Sequence, residues 1–261
     1  MTPVALSIAG SDPSGGAGLQ ADLKTFHQFG VYGEAVVTLI TVQNSQGVKR
    51  VEVLDPTLVL EQLHAVLADI PPHAAKTGAL GNVAMTQAIA QAAKSFSFPL
   101  VVDPVMISKH GAALLEDEAR AAIAQHLLPV AYLFTPNLHE ASILTGTEVR
   151  TIHHMEQAGA AIREMGAKNV LVKGGHLEGD ALDVLITEDG KKHFFNAPRI
   201  DSVHTHGTGC TLSAAITAGL AKGLPLLRAV ADAKAFISNA IRTSPQLGGG
   251  TGPLNHHADP H

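Results

Sequence analysis

The sequence predicts an α/β fold: a three-layer α/β/α sandwich with a mainly parallel central sheet, built as one domain over residues 1–261. Three observations predict it. Short runs of Val, Ile, Leu and Ala alternate with longer segments of helical periodicity along most of the chain. The stretches between successive strands are long enough for parallel crossovers, and a parallel sheet must be covered on both faces. Hydrophobic residues make up 46% of the chain but aromatic residues only 4%, so the core must be aliphatic, which suits helix-on-sheet packing.

Each element has its own local reason. Residues 4–9 form an apolar run that ends at Gly10 and is expected as a buried strand. Residues 10–18 are turn-rich, and Leu19, Leu23 and Phe26 then recur at helical spacing up to Gly30. Residues 34–42 are dense in β-formers, whereas charges interrupt 48–54, which is expected as an edge or flap strand. Pro56 opens a helix to Asp69 with Leu60, Leu63 and Leu67 on one side. Strands follow at 74–77, 100–102, 131–135 and 169–172, separated by helices at 83–94, 116–127, 137–144 and 152–165. Asp189-Gly190 between 181–187 and 192–196 signals a hairpin. The last third is helical, at 210–221 and 225–241, and the Gly-, Pro- and His-rich tail 248–261 is expected to be loose.

Composition excludes several function classes. The net charge is -5, from 18 basic and 23 acidic residues with no basic block, which argues against nucleic-acid binding. No uncharged apolar stretch reaches about 18 residues and no signal peptide is apparent, so no membrane span is expected. One cysteine allows no disulfide within the chain and fits a reducing, cytoplasmic setting. Fifteen histidines are present, but none falls in a structural zinc spacing; His256, His257 and His261 are expected as surface groups or adventitious metal ligands.

The strongest local signal is His206-Gly207-Thr208-Gly209-Cys210-Thr211-Leu212-Ser213, a small-residue loop entering an apolar helix. The first N–H groups of a helix lack internal partners, so an anion can approach them here; a tight packing turn is the alternative. The spacing is neither that of a Walker A loop nor that of a dinucleotide fingerprint. Cys210 sits where a helix N-terminus favours a thiolate, and it is either a proton acceptor or a small buried hydrophobe. Asp22, one turn past the first loop, and Gln43, at the end of the second strand, could together read a ring nitrogen and an exocyclic amine. Asp103 and the run Asn137 to Glu140 follow strands, where acidic groups can hold hydrated Mg²⁺ beside phosphates; Asn137 could equally be a helix cap. Lys173 ahead of Gly174-Gly175 offers a cation at a flexible backbone.

These motifs together resemble the ribokinase-like superfamily, and more narrowly the bacterial hydroxymethylpyrimidine/phosphomethylpyrimidine kinases of thiamine biosynthesis. The resemblance spans residues 4–243. It is carried by Ala9-Gly10-Ser11-Asp12, Gly15 to Thr25, Val101 to Met106, Thr135-Pro136-Asn137 with Glu140, Val172 to His176, and Thr205 to Ala215. It implies two ATP-dependent phosphoryl transfers at one site, first to 4-amino-5-hydroxymethyl-2-methylpyrimidine and then to its monophosphate. It implies Gly10, Ala17, Asp22, Gln43, Ala79, Val105 and Cys210 around the pyrimidine. It implies Asn137, Glu140, Lys173, His206, Gly207 and Gly209 on the ATP side, with Asp103 and Glu140 toward Mg²⁺. Gly207, Thr208 and Gly209 would form the anion hole, with Lys173 and Cys210 also catalytic. A homodimer is implied as well.

Four residues, at three places in the chain, depart from the family pattern. Ala79 replaces the usual Met of Lys-Thr-Gly-Met-Leu, His204 stands where Asn is common, and Pro13-Ser14 replaces smaller residues. Cys210, where most of the superfamily carries Asp, points to the pyrimidine branch, although some Cys-bearing relatives phosphorylate pyridoxine-type rings. The competing expectations are a pyridoxine-class kinase and a pyrimidine-binding protein without turnover.

Overall fold

The computed structural model describes residues 2–105, 116–175, 177 and 179–260; Met106, His176 and His261 lie outside them. In chain order the elements are β1 (Val4–Ser11), α1 (Gly18–Gln28), β2 (Tyr32–Asn44), β3 (Gly47–Val53), α2 (Pro56–Asp69), β4 (Ala74–Thr77) and α3 (Val83–Ala93). They continue with β5 (Leu100–Val102), α4 (Glu116–Ala122), β6 (Leu133–Phe134), α5 (Leu138–Thr145), α6 (Ile152–Glu164) and β7 (Asn169–Lys173). The last are β8 (Ala181–Ile186), β9 (Lys192–Ala197), α7 (Thr208–Ala221) and α8 (Leu226–Arg242).

The described strands form one nine-stranded sheet in the order β3-β2-β1-β4-β5-β6-β7-β8-β9. The six strands from β2 to β7 in that order are parallel, and β3, β8 and β9 join antiparallel. Alternation along the strands feeds two cores. Leu6, Ile8, Val102 and Val170 meet α2, α3, α5 and α6 on one face; Ala5, Val101, Leu133 and Leu171 meet α1, α7 and α8 on the other. This is the ribokinase-like α/β/α sandwich. The chain leaves β1 for β2 on one side and returns to β4 on the other, so the carboxyl ends of β1 and β4 frame a crevice where such folds take ligands.

Several elements differ from the sequence expectation. The helix expected over 116–127 is α-helical only to Ala122; it continues as a π turn, Ile123–Leu127, and a 3₁₀ turn, Leu128–Val130, where Pro129 cannot donate to an α ladder. β6 has two residues, not five. α7 begins at Thr208, two residues ahead of Cys210, because Gly207 supplies the left-handed turn (φ 82°) that starts it. The segment 48–54, expected as an edge or flap strand, is an edge strand: β3 pairs antiparallel to β2 over Gly47–Val53.

The tail is not loose. Leu254 and Ala258 are buried in the second core, Pro253 bridges His206, and Gln28 Nε2 donates to the Ala258 carbonyl. His256 is buried rather than on the surface, with Nε2 3.1 Å from Thr211 Oγ1. Small residues let this segment lie flat on the molecule, where composition alone reads as disorder. Among the described residues no helix is long and apolar enough to cross a membrane.

Candidate active site

A cavity of about 340 Å³ opens at the β1/β4 crevice. Gly10, Ala17, Gln43, Ala79, Val105 and Cys210 line it, with Leu39, Val48 and Val51 adding an apolar wall from the β2–β3 hairpin. Its volume suits a single substituted ring.

One carboxylate organises the first loop. Asp12 Oδ1 accepts from the Ser14 amide and hydroxyl, Oδ2 accepts from the Ala17 amide, and His206 Nε2 lies 2.9 Å from Oδ2. Burial alone would raise the Asp12 carboxyl, but hydrogen bonds from His206, Ser14 and Gln43 outweigh it and hold it well below the usual carboxylate range. The 10–18 loop is thereby stapled to the loop that enters α7. Asp12 belongs to the Ala9-Gly10-Ser11-Asp12 motif but is given no role in the sequence expectation, although Asp-Pro-Ser-Gly is a turn signature that could have flagged it. His206, expected on the ATP side, is among the residues that line the ring cavity.

Asp22 also departs from its expected place. It does not border the cavity; it lies fully buried behind the wall and pairs with Lys76 Nζ at 2.8 Å. Lys76, which sequence reasoning did not single out, is the member of the pair that borders the cavity. The readable signal was a lysine in the middle of a four-residue strand whose neighbours are small and apolar.

At the far end of the cavity, α7 begins without a side-chain cap. The Gly209 and Cys210 amides have no partner inside the helix, and the helix dipole favours negative charge there. A Cβ built on Gly209 would stand 3.4 Å from Lys173 Nζ and 3.7 Å from Asp103 Oδ2, so the glycine keeps open the space between the helix and this ion pair. Lys173 Nζ bonds Asp103 Oδ1 at 2.8 Å, and Asp103 is further approached by Thr135 and Ser213 hydroxyls. Burial would lower the Lys173 ammonium, but Asp103 and Glu140 hold it above its ordinary value, so it stays charged.

Glu140 and Asn137 form a closed capping box at the start of α5: Asn137 Oδ1 accepts from the Glu140 amide and Glu140 Oε2 from the Asn137 amide. Asn137 is therefore a cap, with its side-chain oxygen already engaged. Burial pushes the Glu140 carboxyl up to about 7, Lys173 opposing and Asp103 adding to the rise. Burial likewise pushes the Cys210 thiol up to about 11, although Lys76 pulls the other way. The thiolate expected from the helix N-terminus is disfavoured at neutral pH, because desolvation outweighs the pull of Lys76 and of the Gly18 amide.

Two supports lie behind this end. Asp183 accepts from the Gly174 amide at 2.9 Å and pairs with Lys234 at 2.6 Å. The Arg199 guanidinium donates to the carbonyls of Gly175, Leu177 and Gly179, fixing the loop after Lys173. Neither was legible, since each partner lies in a different element.

The family model described as Phosphomethylpyrimidine kinase matches residues 12–255. The hydroxymethylpyrimidine/phosphomethylpyrimidine kinase of Streptomyces coelicolor is 45% identical over 254 residues, covering 97% of this chain and 94% of that protein. Among solved structures, an ADP complex of Bacillus subtilis pyridoxal kinase superposes with a TM-score of 0.92 at 40% identity, covering 99% of this chain and 98% of that one. The phosphomethylpyrimidine kinase of Clostridium difficile superposes with a TM-score of 0.79 at 43% identity, covering 91% and 99%. Matched across nearly its whole length, the chain belongs to the phosphomethylpyrimidine kinase family.

Proposed function

We propose that the chain transfers the γ-phosphoryl group of ATP to 4-amino-5-hydroxymethyl-2-methylpyrimidine, and then to the resulting monophosphate, supplying the diphosphate for thiamine diphosphate synthesis. One observation carries this reading: a ring-sized cavity ends at the uncapped N-terminus of α7, where Gly209 faces the Lys173–Asp103 pair. The ring alcohol enters from the 10–18 loop side and the nucleotide phosphates from the Lys173 side. The hydroxymethyl oxygen bonds the γ-phosphorus, the bond from that phosphorus to the β,γ-bridging oxygen breaks, ADP leaves and the hydroxyl proton is released. Amides at the start of α7 and the Lys173 ammonium stabilise the charge that develops.

Asp103 and Glu140 suit Mg²⁺, which takes one or two carboxylates together with substrate phosphates and water. Both flank Lys173, and only one Glu140 oxygen is used by the capping box. Bound there, Mg²⁺ would neutralise phosphate charge. Cys210 packs beside the reacting oxygen in both transfers as a protonated thiol. A homodimer is part of the proposal, supported by the exposed Ile40 and Val42 beside edge strand β3; mass in solution tests it.

The likeness to the Bacillus subtilis pyridoxal kinase favours a second reading, phosphorylation of a pyridoxal-type ring alcohol. A coupled ADP-release assay with the pyrimidine alcohol, its monophosphate and pyridoxal, side by side, separates them. Turnover of both pyrimidines supports the first reading; turnover of pyridoxal alone overturns it.

A further inference from the structure

Lys76 is out of character for its strand. β4 reads Ala-Ala-Lys-Thr and all four residues are buried. The Lys76 side chain is 0% exposed, as is that of its partner Asp22. Ser7 Oγ donates to the same Asp22 oxygen at 2.6 Å, while Asp22 Oδ1 has no hydrogen-bond partner. An ion pair this deep carries a desolvation cost that packed apolar side chains of similar volume would avoid. Stability therefore gives no reason for it.

Its orientation does. Lys76 borders the cavity and Asp22 does not, so the pair is a fixed dipole with its positive end toward the ligand. Among the described residues that border the cavity, Lys76 is the only lysine or arginine. It acts at the reacting end: its charge is felt by Cys210 and Asp103, which flank the start of α7. Being fully buried, it works through its field and needs no direct contact.

Two different substrates meet that field. The first is an uncharged alcohol. The second is a phosphate monoester, which carries about -1.5 to -2 charges near neutral pH. In both transfers the nucleophilic oxygen must reach the same γ-phosphorus. The monoester's own phosphorus must then lie one bond behind that oxygen, on the side of the cavity, and Lys76 is among the residues that border that cavity. In this second transfer the monoester oxygen bonds the γ-phosphorus, the bond to the β,γ-bridging oxygen breaks and ADP leaves. That oxygen is already ionised, so no proton has to be removed; the difficulty is holding two anionic phosphates together.

We propose that the Lys76–Asp22 pair is a specificity-determining element for the second transfer, directing preorganised positive charge onto the phosphate of the monoester. The inference rests on the two-step reading above. Its test replaces both charges at once, Lys76→Met with Asp22→Asn, so that no buried charge is left unpaired. Steady-state kcat/KM is then measured for the alcohol and the monoester on one preparation. The monoester value is expected to fall on the order of tenfold further than the alcohol value. Equal losses, or no loss in either, overturn the proposal, because a purely structural role moves both substrates together.

Should the double variant fail to fold, Lys76→Gln with Asp22→Asn replaces the two charges by neutral hydrogen-bonding groups and again leaves no buried charge unpaired. It is expected to lower the monoester-to-alcohol ratio, and an unmoved or raised ratio overturns the proposal. Wild-type protein that turns over neither pyrimidine overturns the two-step reading itself. Wild-type turnover of both, with a ratio the variants do not move, overturns only the role of the pair.

Discussion

Two helices begin at the same edge of the sheet and are finished in opposite ways. α5 is closed: Asn137 and Glu140 satisfy each other's amides in a capping box. α7 is open: its cap is Gly207 in the left-handed region, with no side chain reaching back. Both helices have a small or polar residue before them and both follow a loop at the ligand end of the fold. The difference lies in whether a side chain occupies the first amides. Where it does, the helix start is structural and its charged neighbour can only act with its spare oxygen. Where it does not, the amides and the dipole are available to a phosphate.

Substituting Gly207→Ala is the hardest blow to this contrast. The φ of 82° disfavours any L side chain, and a Cβ there would run into the Gly16 carbonyl oxygen. The two loops must part, which displaces the α7 amides. We expect kcat to fall on the order of 100-fold or more, with far-UV circular dichroism unchanged. A fully active, folded Gly207→Ala protein would break the assignment of α7 as the anion site.

α7 also has a support that α5 lacks, in the tail that packs against it. Burial, ahead of Lys24 and His257, pulls the His256 imidazole down to about 4. The unfolded chain binds a proton near pH 6.5 that the folded chain refuses until about 4. Stability from this group is therefore complete above about pH 6.5 and falls as pH drops through that window, by about 3 kcal/mol at the bottom. Glu34 and Glu140, both pushed up to about 7 chiefly by burial, act with the opposite sign: they cost stability as pH rises from their unfolded range through 7. The wild-type curve mixes the two, so the measurement is a difference. Urea unfolding of wild type and His256→Asn across pH 4 to 7 should give curves whose gap is constant above about 6.5 and changes steadily below it. A gap with no slope would show that the tail imidazole is not buried neutral.

Much of this organisation was legible because it is local. Helix starts at Pro56, the Asp189-Gly190 hairpin and the small-residue entry to α7 each depend on a few adjacent residues, and the strand-helix alternation followed from period alone. What escaped depends on distance along the chain. Asp12 meets His206 194 positions away, and Lys76 meets Asp22 54 positions away. The tail looked loose because glycine, proline and histidine are poor in side-chain cues, yet Leu254 and Ala258 complete the core beside α1 and α8. Asn137 was ambiguous for the opposite reason: capping and ligand binding use the same side chain, and only the geometry shows which amide it accepts from.

Cys210 stands at the open helix start but behaves as a buried thiol. With its pKa pushed up to about 11 it holds its proton at neutral pH. A base role would make Cys210→Ala slow the alcohol step far more than the monoester step, whose nucleophile is already ionised. We expect modest losses, under about tenfold and similar for both steps, of the size that follows a lost packing contact. A loss confined to the alcohol would restore the base.

The smallest effect sharpens the comparison most. If Asn137 serves only to close α5, Asn137→Ala should cost about 1 kcal/mol in urea unfolding, and Asn137→Ser should recover most of it, since serine caps nearly as well. Neither change should raise KM for ATP beyond what the loosened helix start produces, so KM should recover with stability in the serine variant. A serine variant that regains stability but keeps a raised KM would place the Asn137 amide nitrogen on the nucleotide. α5 would then be closed toward solvent and still open toward ATP through its NH₂ group, and the contrast with α7 would narrow from capped against uncapped to side-chain donor against backbone donor.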